Sequence, residues 1–396
     1  MKQRLLSILS TVFVLVGCSG GDTIKFGAVL PITGSASIYG ESVRRGVELA
    51  FEEIQARSDS AYTFELRVVD SGSDPAKAAE LLEQLYDDGA LAVIGGVTTA
   101  EALEMVSGAD KAERVLLSPS ASSPELTGIS RNFFRVFFSD FDEGTKMGNF
   151  AVSQAGLKTV VILAKEETWA AGVQEIFARE FVRNGGEVLD SLEFPEGTRD
   201  YSGLIGRVNT LEPAAVYLAA YAEEVAALVE QIRASGYGGR ILTTHAFASP
   251  TILEQVGAPA RGVLLTGPQF EADSEGEPIK SFVTAFGQKY NDAPDVWSAH
   301  GYDAMMVLVH AIPAKFRTPS DFRSSLKSTE NYQGVAGVIQ FDDKGDVSKF
   351  PHVYQVTTDG LRDYEIEVSR DREALMEQLR ELREKRRKRQ MEQGKN

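Results

Sequence analysis

The chain has 396 residues, a formal net charge of −16 at pH 7 and a charged fraction of 25%. So negative a chain disfavours nucleic acid as a partner, because the phosphate backbone would repel it. Its hydrophobic fraction of 43% is ordinary for a globular protein, so disorder is not expected outside the ends. A folded region of about 350 residues exceeds what one hydrophobic core usually serves, so we expect two domains.

The amino terminus is typical of a secretory signal peptide. Lys2 and Arg4 form a positively charged start, and a largely apolar run follows at 5–16. A membrane-spanning helix needs about 20 apolar residues, and this run is shorter. We therefore predict that residues 1–17 are a lipoprotein signal peptide and not a retained membrane span.

The signal ends in a sequence that indicates lipid attachment. Leu15, Val16, Gly17 and Cys18 resemble a bacterial lipobox, in which the cysteine becomes the acylated first residue of the mature protein. Cys18 is also the only cysteine, so it cannot form an internal disulfide. Acyl chains there would hold the protein on a membrane of the bacterial cell envelope, facing the periplasm or the exterior. The alternative is an ordinary signal peptide that happens to contain a cysteine.

Short apolar runs rich in β-branched residues alternate with longer stretches of helical periodicity in the first part of the chain. Strands are predicted at 24–30, 64–69, 91–94, 115–117 and 133–138, with helices at 40–56, 75–86 and 100–112. This rhythm predicts a parallel sheet that helices cover on both faces. Ligands of such sheets bind beyond the carboxyl ends of the strands.

The same rhythm restarts further along the chain. Strands are predicted at 159–163, 188–194, 215–218, 241–244 and 262–266. Helices are predicted at 169–184, in a short stretch that begins at 201, and in a separate stretch that ends at 235. We therefore predict an α/β fold of two doubly wound parallel-sheet lobes. Crossings near 139, 268–270 and 342–345 would assign 18–138 and 270–342 to lobe 1, and 139–269 and 343–368 to lobe 2. The helices at 277–290, 299–313 and 319–327 would then belong to the first lobe, and a strand at 353–357 to the second.

The carboxyl-terminal segment, 369–396, is strongly charged and helix-forming. Leu375, Leu379 and Leu382 give it only a thin apolar stripe. One interpretation is a solvated helical tail, and the other is contact with a membrane surface through the basic run 385–389.

Several segments together are similar to segments of one family. They are GAVLPITG at 27–34, DP at 74–75, IGG at 94–96 with two threonines at 98–99, SPSASSPELT at 118–127, DYS at 200–202 and FDDKGD at 341–346. The segment at 118–127 is the most specific. Over most of 24–357 the chain resembles the leucine/isoleucine/valine-binding proteins, type I periplasmic solute-binding proteins of branched-chain amino-acid ABC transporters. The resemblance implies two lobes joined by a hinge of three strands, with a ligand clamped between them.

The resemblance also implies which residues bind the ligand. Thr98, Thr99 and Ala100 lie where a strand ends and a helix begins, a place that favours a ligand carboxylate. Thr99 could instead be no more than the N-cap of that helix.

A second predicted binding segment follows the strand at 115–117. Backbone groups of Ala121 and Ser122, with the Ser122 hydroxyl, are expected to contact the α-carboxylate and α-amino groups of the ligand, and Ser123 to share this role. A Ser-Pro-Ser sequence also forms a plain turn, which is the alternative interpretation.

Aromatic residues are expected to form walls of the pocket. Tyr39 and Trp169 stand where relatives often place aromatic side chains on opposite lobes, and Tyr221 stands where the second lobe is expected to close on the ligand. Aromatic rings supply large rigid contact areas. The alternative is that these rings belong to the hydrophobic core.

His245 is a departure from the family pattern. Relatives commonly place there an acid that pairs with the ligand ammonium, whereas a neutral imidazole can accept one hydrogen bond but supplies no opposite charge. Either another acid reaches the cleft, with Glu223 and Glu271 as candidates, or the ligand is not a free α-amino acid. A third interpretation is a histidine at a strand end that bonds only to backbone.

No catalytic signature accompanies these features. The sequence has no Gly-x-Ser-x-Gly elbow, no phosphate-binding Gly-x-x-x-x-Gly-Lys loop and no His-Glu-x-x-His, and none of its four histidines is paired at metal-ligand spacing. We expect no enzymatic activity, no metal and no cofactor.

The predicted function is a lipid-anchored solute-binding protein of an ABC importer. It would capture a small amino-acid-like ligand, either a branched-chain amino acid or a related amide or acid, and deliver it to permease subunits. The rival is a lipoprotein sensor or activator that uses the same fold to regulate an envelope enzyme or receptor, because a fold does not by itself determine function.

Overall fold

The computed structural model describes residues 23–57, 62–270, 272–314 and 316–366. Cys18, Glu271 and the predicted tail at 369–396 lie outside these ranges. Among the residues described, no helix is both long enough and apolar enough to cross a membrane.

Five parallel strands form the first sheet, in the spatial order β2-β1-β3-β4-β5. They are β1 Thr23–Leu30, β2 Thr63–Asp70, β3 Ala92–Gly95, β4 Val115–Ser118 and β5 Phe133–Arg135. The helices that connect the first four strands are α1 Ser37–Ala56, α2 Pro75–Asp87 and α3 Thr99–Ala112. β1 is buried without interruption from Phe26 onward, as expected for a central parallel strand covered on both faces.

The second sheet has seven strands, of which five are parallel and two are added at one edge in antiparallel orientation. The parallel strands are β6 Thr159–Lys165, β7 Glu187–Phe194, β8 Ala215–Ala219, β9 Arg240–Thr243 and β10 Leu264–Gly267. Its helices are α4 Asp140–Ser153, α5 Thr168–Arg183, α6 Ser202–Leu211, α7 Ala222–Ala234 and α8 Pro250–Val256. Short 3-10 helices lie at Pro124–Leu126, His245–Phe247 and Ala258–Ala260.

The last part of the described chain contributes to both halves of the molecule. It contains α9 Ile279–Tyr290, α10 Val296–His310, α11 Pro319–Lys327, the hairpin of β11 Tyr332–Gly334 and β12 Gly337–Ile339, and the edge strands β13 His352–Thr357 and β14 Gly360–Asp363. α10 packs on α1, whereas β13 pairs with β10. We call the five-stranded sheet with its helices the first lobe, and the seven-stranded sheet with its helices the second lobe. Two parallel-dominated sheets confirm the predicted α/β fold class.

Glycines allow α1 and α10 to approach each other closely. A Cβ on Gly46 would lie 1.9 Å from the Ser298 carbonyl oxygen, and one on Gly301 would lie 2.4 Å from the Val43 carbonyl oxygen. Because these positions carry no side chain, the two helices meet backbone to backbone. This contact brings Tyr39 of α1 beside Trp297 of α10, with ring centroids 4.8 Å apart.

One helix near the cleft was not predicted. Residues 140–153 form α4, and the Ser139 hydroxyl accepts a hydrogen bond from the Phe141 N–H at its start. Asp140, Asp142 and Glu143 occupy the first turn, where the helix dipole favours negative charge. A serine followed by three acids within the next four residues is a sequence signal for the start of a helix. This helix is important for the cleft because it carries Asp140 and Glu143, the acids closest to His245.

Candidate ligand-binding cleft

The cleft lies between the lobes, where carboxyl ends of strands from both sheets meet. The loops after β3 and β4 face the loops after β6, β8 and β9. The lining residues are Tyr39, Val97, Thr98, Thr99, Ser120, Ser122, Trp169, Tyr221, His245, Ala246 and Trp297. The volume of this cavity is only about 30 Å³, room for little more than a water molecule. The structure therefore represents a closed cleft.

Seven of the ten residues predicted to bind ligand line this cavity, and Ala100, Ala121 and Ser123 do not. Ala100 is exposed on α3. The Ala121 N–H donates to the Ser118 hydroxyl oxygen at 2.9 Å, and the Ser123 N–H donates to the Thr99 hydroxyl oxygen at 3.4 Å. These backbone groups are occupied in building the loop, so the expected backbone contacts from Ala121 to a ligand are not available in this conformation.

Arg135 holds that loop from behind. Its guanidinium is completely buried and donates to the carbonyl oxygens of Ala121 at 3.4 Å and Ser123 at 3.0 Å. Two further bonds of 2.8 Å join it to the carboxylate of Asp346. A paired guanidinium of this kind fixes the loop geometry because it satisfies carbonyls that would otherwise be buried without partners.

The threonines at the start of α3 have different roles. Thr98 is the N-cap, since its hydroxyl oxygen accepts from the Glu101 N–H at 3.2 Å and the Glu101 carboxylate accepts from the Thr98 N–H at 3.4 Å. Thr99 is therefore the first helical residue, and the N-cap alternative for it is wrong. The first N–H groups of a helix have no partner within the helix. Together with the Thr99 hydroxyl they form a place suited to a carboxylate.

Four aromatic rings form the walls of the cleft. Trp169 and Tyr221 stack with centroids 5.0 Å apart and planes within 5°, and Tyr39 lies 5.9 Å from Tyr221. Trp297 completes the group, and the sequence did not single it out. The helix carrying it was predicted to begin at 299, but Asp295 and Ser298 form a capping box that starts it at Val296. That motif was the signal that could have placed Trp297 at the helix start.

Three side chains, Tyr39, Ser122 and Trp169, connect the lobes, and we call them the latch. The Tyr39 hydroxyl donates to the Ala246 carbonyl oxygen at 3.0 Å and accepts from the Ala222 N–H at 2.8 Å. The Trp169 indole N–H donates to the Ser122 hydroxyl oxygen at 3.1 Å. Because the latch residues also line the cavity, a ligand can enter only when these contacts separate.

His245 is held by a buried carboxylate. Glu143 accepts from the His245 backbone N–H at 2.8 Å and from the Thr266 hydroxyl at 2.6 Å, and its other oxygen lies 2.8 Å from Nδ1 of the ring. A carboxylate only accepts, so the ring carries a proton on Nδ1. Burial opposes both charges, but the ion pair and its hydrogen bonds prevail, so the pKa of Glu143 is lowered and that of His245 is raised.

Asp140 lies beside this pair and is completely buried. Neither of its carboxyl oxygens makes a hydrogen bond within the described parts of the chain. Burial, followed by the charge of Glu143, raises the pKa of Asp140, and the charge of His245 offsets this only in part. The surroundings of Asp140 therefore favour its neutral form.

These three residues also form the one cluster, among the residues described, that could hold a metal ion. One ligand atom from each of Asp140, Glu143 and His245 lies within 4.8 Å of the others. Glu143 and Nδ1 of His245 are bonded to each other, so a metal ion would have to separate the pair. The arrangement favours internal charge neutralisation.

Of the two candidate acids named from the sequence, Glu223 does not reach the cleft. Glu223 is exposed and does not line the cavity, and Glu271 lies outside the described residues. The acids that approach His245 are Asp140 and Glu143, and both come from α4. His245 does not bond to backbone through its ring, because Nδ1 is paired with a carboxylate.

The fold and the cleft define a two-lobed solute-binding protein. A family model described as a periplasmic binding protein matches residues 23–360, so the chain belongs to the periplasmic binding protein family. This confirms the resemblance read from the sequence. The members of this family bind solutes and are not enzymes, which confirms that prediction too.

Individual relatives extend the likeness over most of the chain. The leucine-, isoleucine-, valine-, threonine- and alanine-binding protein of Pseudomonas aeruginosa is 24% identical over 367 residues, which cover 89% of this chain and 97% of that protein. A leucine-binding protein from Thermotoga maritima is 29% identical with a TM-score of 0.81, covering 86% and 97% of the two chains. A branched-chain amino acid transporter substrate-binding protein from Streptococcus pneumoniae, in complex with isoleucine, is 25% identical with a TM-score of 0.80, covering 86% and 98%.

The Glu143–His245 pair predicts a specific dependence of stability on pH. Its contribution to the free energy of unfolding should be complete between the ordinary pKa of glutamate, 4.5, and that of histidine, 6.5. It should be lost as the pH falls through the lowered pKa of Glu143, where the unfolded chain binds more protons. It should also be lost as the pH rises through the raised pKa of His245, where the folded protein binds more protons.

The measurement is urea denaturation of the natural protein and of a Glu143→Gln, His245→Gln double variant from about pH 4 to about pH 9. The difference in unfolding free energy should have its maximum in that window. His245→Gln alone should lose about 3–5 kcal/mol, since it leaves Glu143 buried and uncompensated. A difference that does not vary with pH would contradict this account of the pair.

The latch predicts an effect of Tyr39→Phe on the opening of the lobes. The change removes two hydrogen bonds, each worth about 1 kcal/mol net, so the population of the closed state relative to the open state should fall roughly 30-fold. Small-angle scattering of the ligand-free protein should show a larger radius of gyration. Tyr237→Phe is the control, because that hydroxyl bonds to the Pro213 carbonyl oxygen within the second lobe. Equal radii for the natural protein and Tyr39→Phe would refute the latch.

Proposed function

We propose that this protein is the extracytoplasmic, lipid-anchored receptor of an ABC importer and captures a small amino-acid-like ligand by closure of its lobes. The observation that carries the proposal is the latch, because the side chains that join the lobes are also those that line the cleft. The names of the relatives agree with it: the Pseudomonas protein binds leucine and other amino acids, and the Streptococcus structure contains isoleucine.

The geometry supports a mechanism in two stages. A ligand carboxylate first docks on the open first lobe, at the Thr99 hydroxyl and the N-terminal N–H groups of α3. The second lobe then closes, and Trp169 and Tyr221 cover the apolar part of the ligand. Closure removes water, which strengthens the hydrogen bonds to the carboxylate. The ligand takes the place of latch contacts, so binding and closure are coupled.

The proposal includes partners and boundaries. The ligand-loaded receptor would dock on the permease subunits of the importer, and acyl chains on Cys18 would keep it at the membrane. The lobes would divide near 139, 270 and 343, so that three short connections form the hinge on which they close.

Thr99→Ala tests the position of the carboxylate site. A thermal-shift screen of aliphatic amino acids, amides and aromatic acids first identifies the ligand, and calorimetry then measures its affinity. Losing a hydrogen bond to a charged group costs about 1.5–3 kcal/mol, so the affinity should fall by roughly 10- to 100-fold. Thr210→Ala is the matched control, since Thr210 is exposed on α6 and bonds only to the Gly206 carbonyl oxygen. Unchanged affinity in Thr99→Ala would place the site elsewhere.

Cys18→Ser tests the lipid anchor. In cells fed an alkyne-labelled fatty acid, the natural protein should carry the label and fractionate with membranes, because two or more acyl chains hold a protein stably there. Cys18→Ser should carry no label and appear in the soluble fraction. Ser19→Ala should behave like the natural protein. Absence of label on the natural protein would refute lipidation.

A further inference from the structure

The lining of the cleft contains no carboxylate. Its eleven residues offer hydroxyls, aromatic rings, one imidazole and apolar groups. A free α-amino acid brings an ammonium group, and burying that charge is costly unless an opposite charge and hydrogen-bond acceptors meet it. The absence of an acid among these lining residues therefore bears directly on the ligand.

The acids behind the cleft are already neutralised. Glu143 is paired with His245 and bonded to Thr266. Asp140 is completely buried and does not line the cavity, and burial and the neighbouring Glu143 both raise its pKa, which favours its neutral form. Neither acid offers a free negative charge to a ligand.

Two further acids lie near the cleft, but neither belongs to its lining. Glu101 accepts from the Ser71 hydroxyl at 2.6 Å and from the Thr98 N–H at 3.4 Å. Glu167 lies beside the Tyr221 hydroxyl and the ammonium of Lys165. Its Oε1 has no hydrogen-bond partner among the described residues, but Glu167 lies outside the residues that line the cavity. That ammonium sits 5.0 Å from the centre of the Tyr221 ring. The ring therefore separates this charged group from Trp169 and the cleft.

What the cleft does present is a set of donors. At one side the oxygens of Thr98 and Thr99 already accept backbone N–H groups, which leaves their hydroxyl hydrogens to donate. At the other side Glu143 fixes Nδ1 of His245 and favours the imidazolium, whose Nε2 has no hydrogen-bond partner among the described residues. Donors of this kind bind oxygen anions, whereas an ammonium would meet no carboxylate among the lining residues.

We propose that the cleft selects a small carboxylic acid with an apolar or aromatic body and no α-ammonium group, and that His245, held by Glu143, discriminates against the ammonium. This inference rests on the proposed function and names the ligand class of the same site. The carboxylate lies among the donors from Thr99, α3 and His245. The four aromatic rings enclose the apolar body.

The test uses pairs of ligands that differ only in the ammonium group. Calorimetry at neutral pH compares leucine with 4-methylpentanoate, and phenylalanine with 3-phenylpropanoate. In each pair that binds, the acid without the ammonium should bind tenfold or more tightly than its amino acid. An amino acid that binds as tightly as its partner, or more tightly, would overturn the inference and leave the solute-receptor function intact. No binding by either pair would overturn both the inference and the amino-acid-like ligand class of the proposed function.

A variant series tests the role of His245. The Glu143→Gln, His245→Gln double variant keeps hydrogen-bonding side chains at both positions and leaves no unpaired buried charge. Its preference for the acid over the amino acid should fall at least tenfold relative to the natural protein, with a cooperative unfolding transition retained. His310→Gln, at an exposed position at the end of α10, should keep the natural preference. An unchanged preference in the double variant would show that His245 does not discriminate.

Discussion

A fully buried carboxylate is tolerated only when opposite charge and hydrogen bonds compensate the loss of water, and at the meeting of the two lobes Glu143 is such a group. Glu143 lies on α4, and its partners come from the turn after β9 and from β10, so the interaction joins one helix to the ends of two strands of the second sheet. His245 cannot turn away from this position without leaving Glu143 uncompensated. The pair therefore fixes both the second lobe's contribution to the cleft and the orientation of its imidazole.

The same pair determines the polarity of the cleft. The charge of Glu143 is neutralised inside the protein, so the surface offered to a ligand consists of hydroxyl, N–H and imidazole groups between aromatic walls. An amino-acid receptor needs both a donor set and an acid, and here the donor set is present while the acids lie behind it. The family fold therefore does not by itself determine which ligand the cleft takes, because function resides in individual side chains.

Closure of the lobes uses the residues that would hold the ligand. Tyr39 and Trp169 make hydrogen bonds across the cleft, and the cavity between them is only about 30 Å³. A bound ligand must therefore provide contacts that replace the latch, and its affinity reflects the difference between the two sets. Arg135 supports this exchange by fixing the loop that carries Ser122, so that the first lobe presents a preformed surface.

The sequence by itself determined the α/β class, the family and most of the residues that line the cleft, because strand periodicity and loop motifs are local signals. It also identified His245 as the position where an expected acid is missing. Only the tertiary structure shows which acid pairs with His245, since Glu143 is 102 residues away in sequence and meets His245 through folding alone. Trp297 likewise reaches the cleft through the close packing of α10 on α1. The charge balance and the shape of the cavity depend on contacts between segments that are distant in sequence, and local sequence patterns do not indicate such contacts.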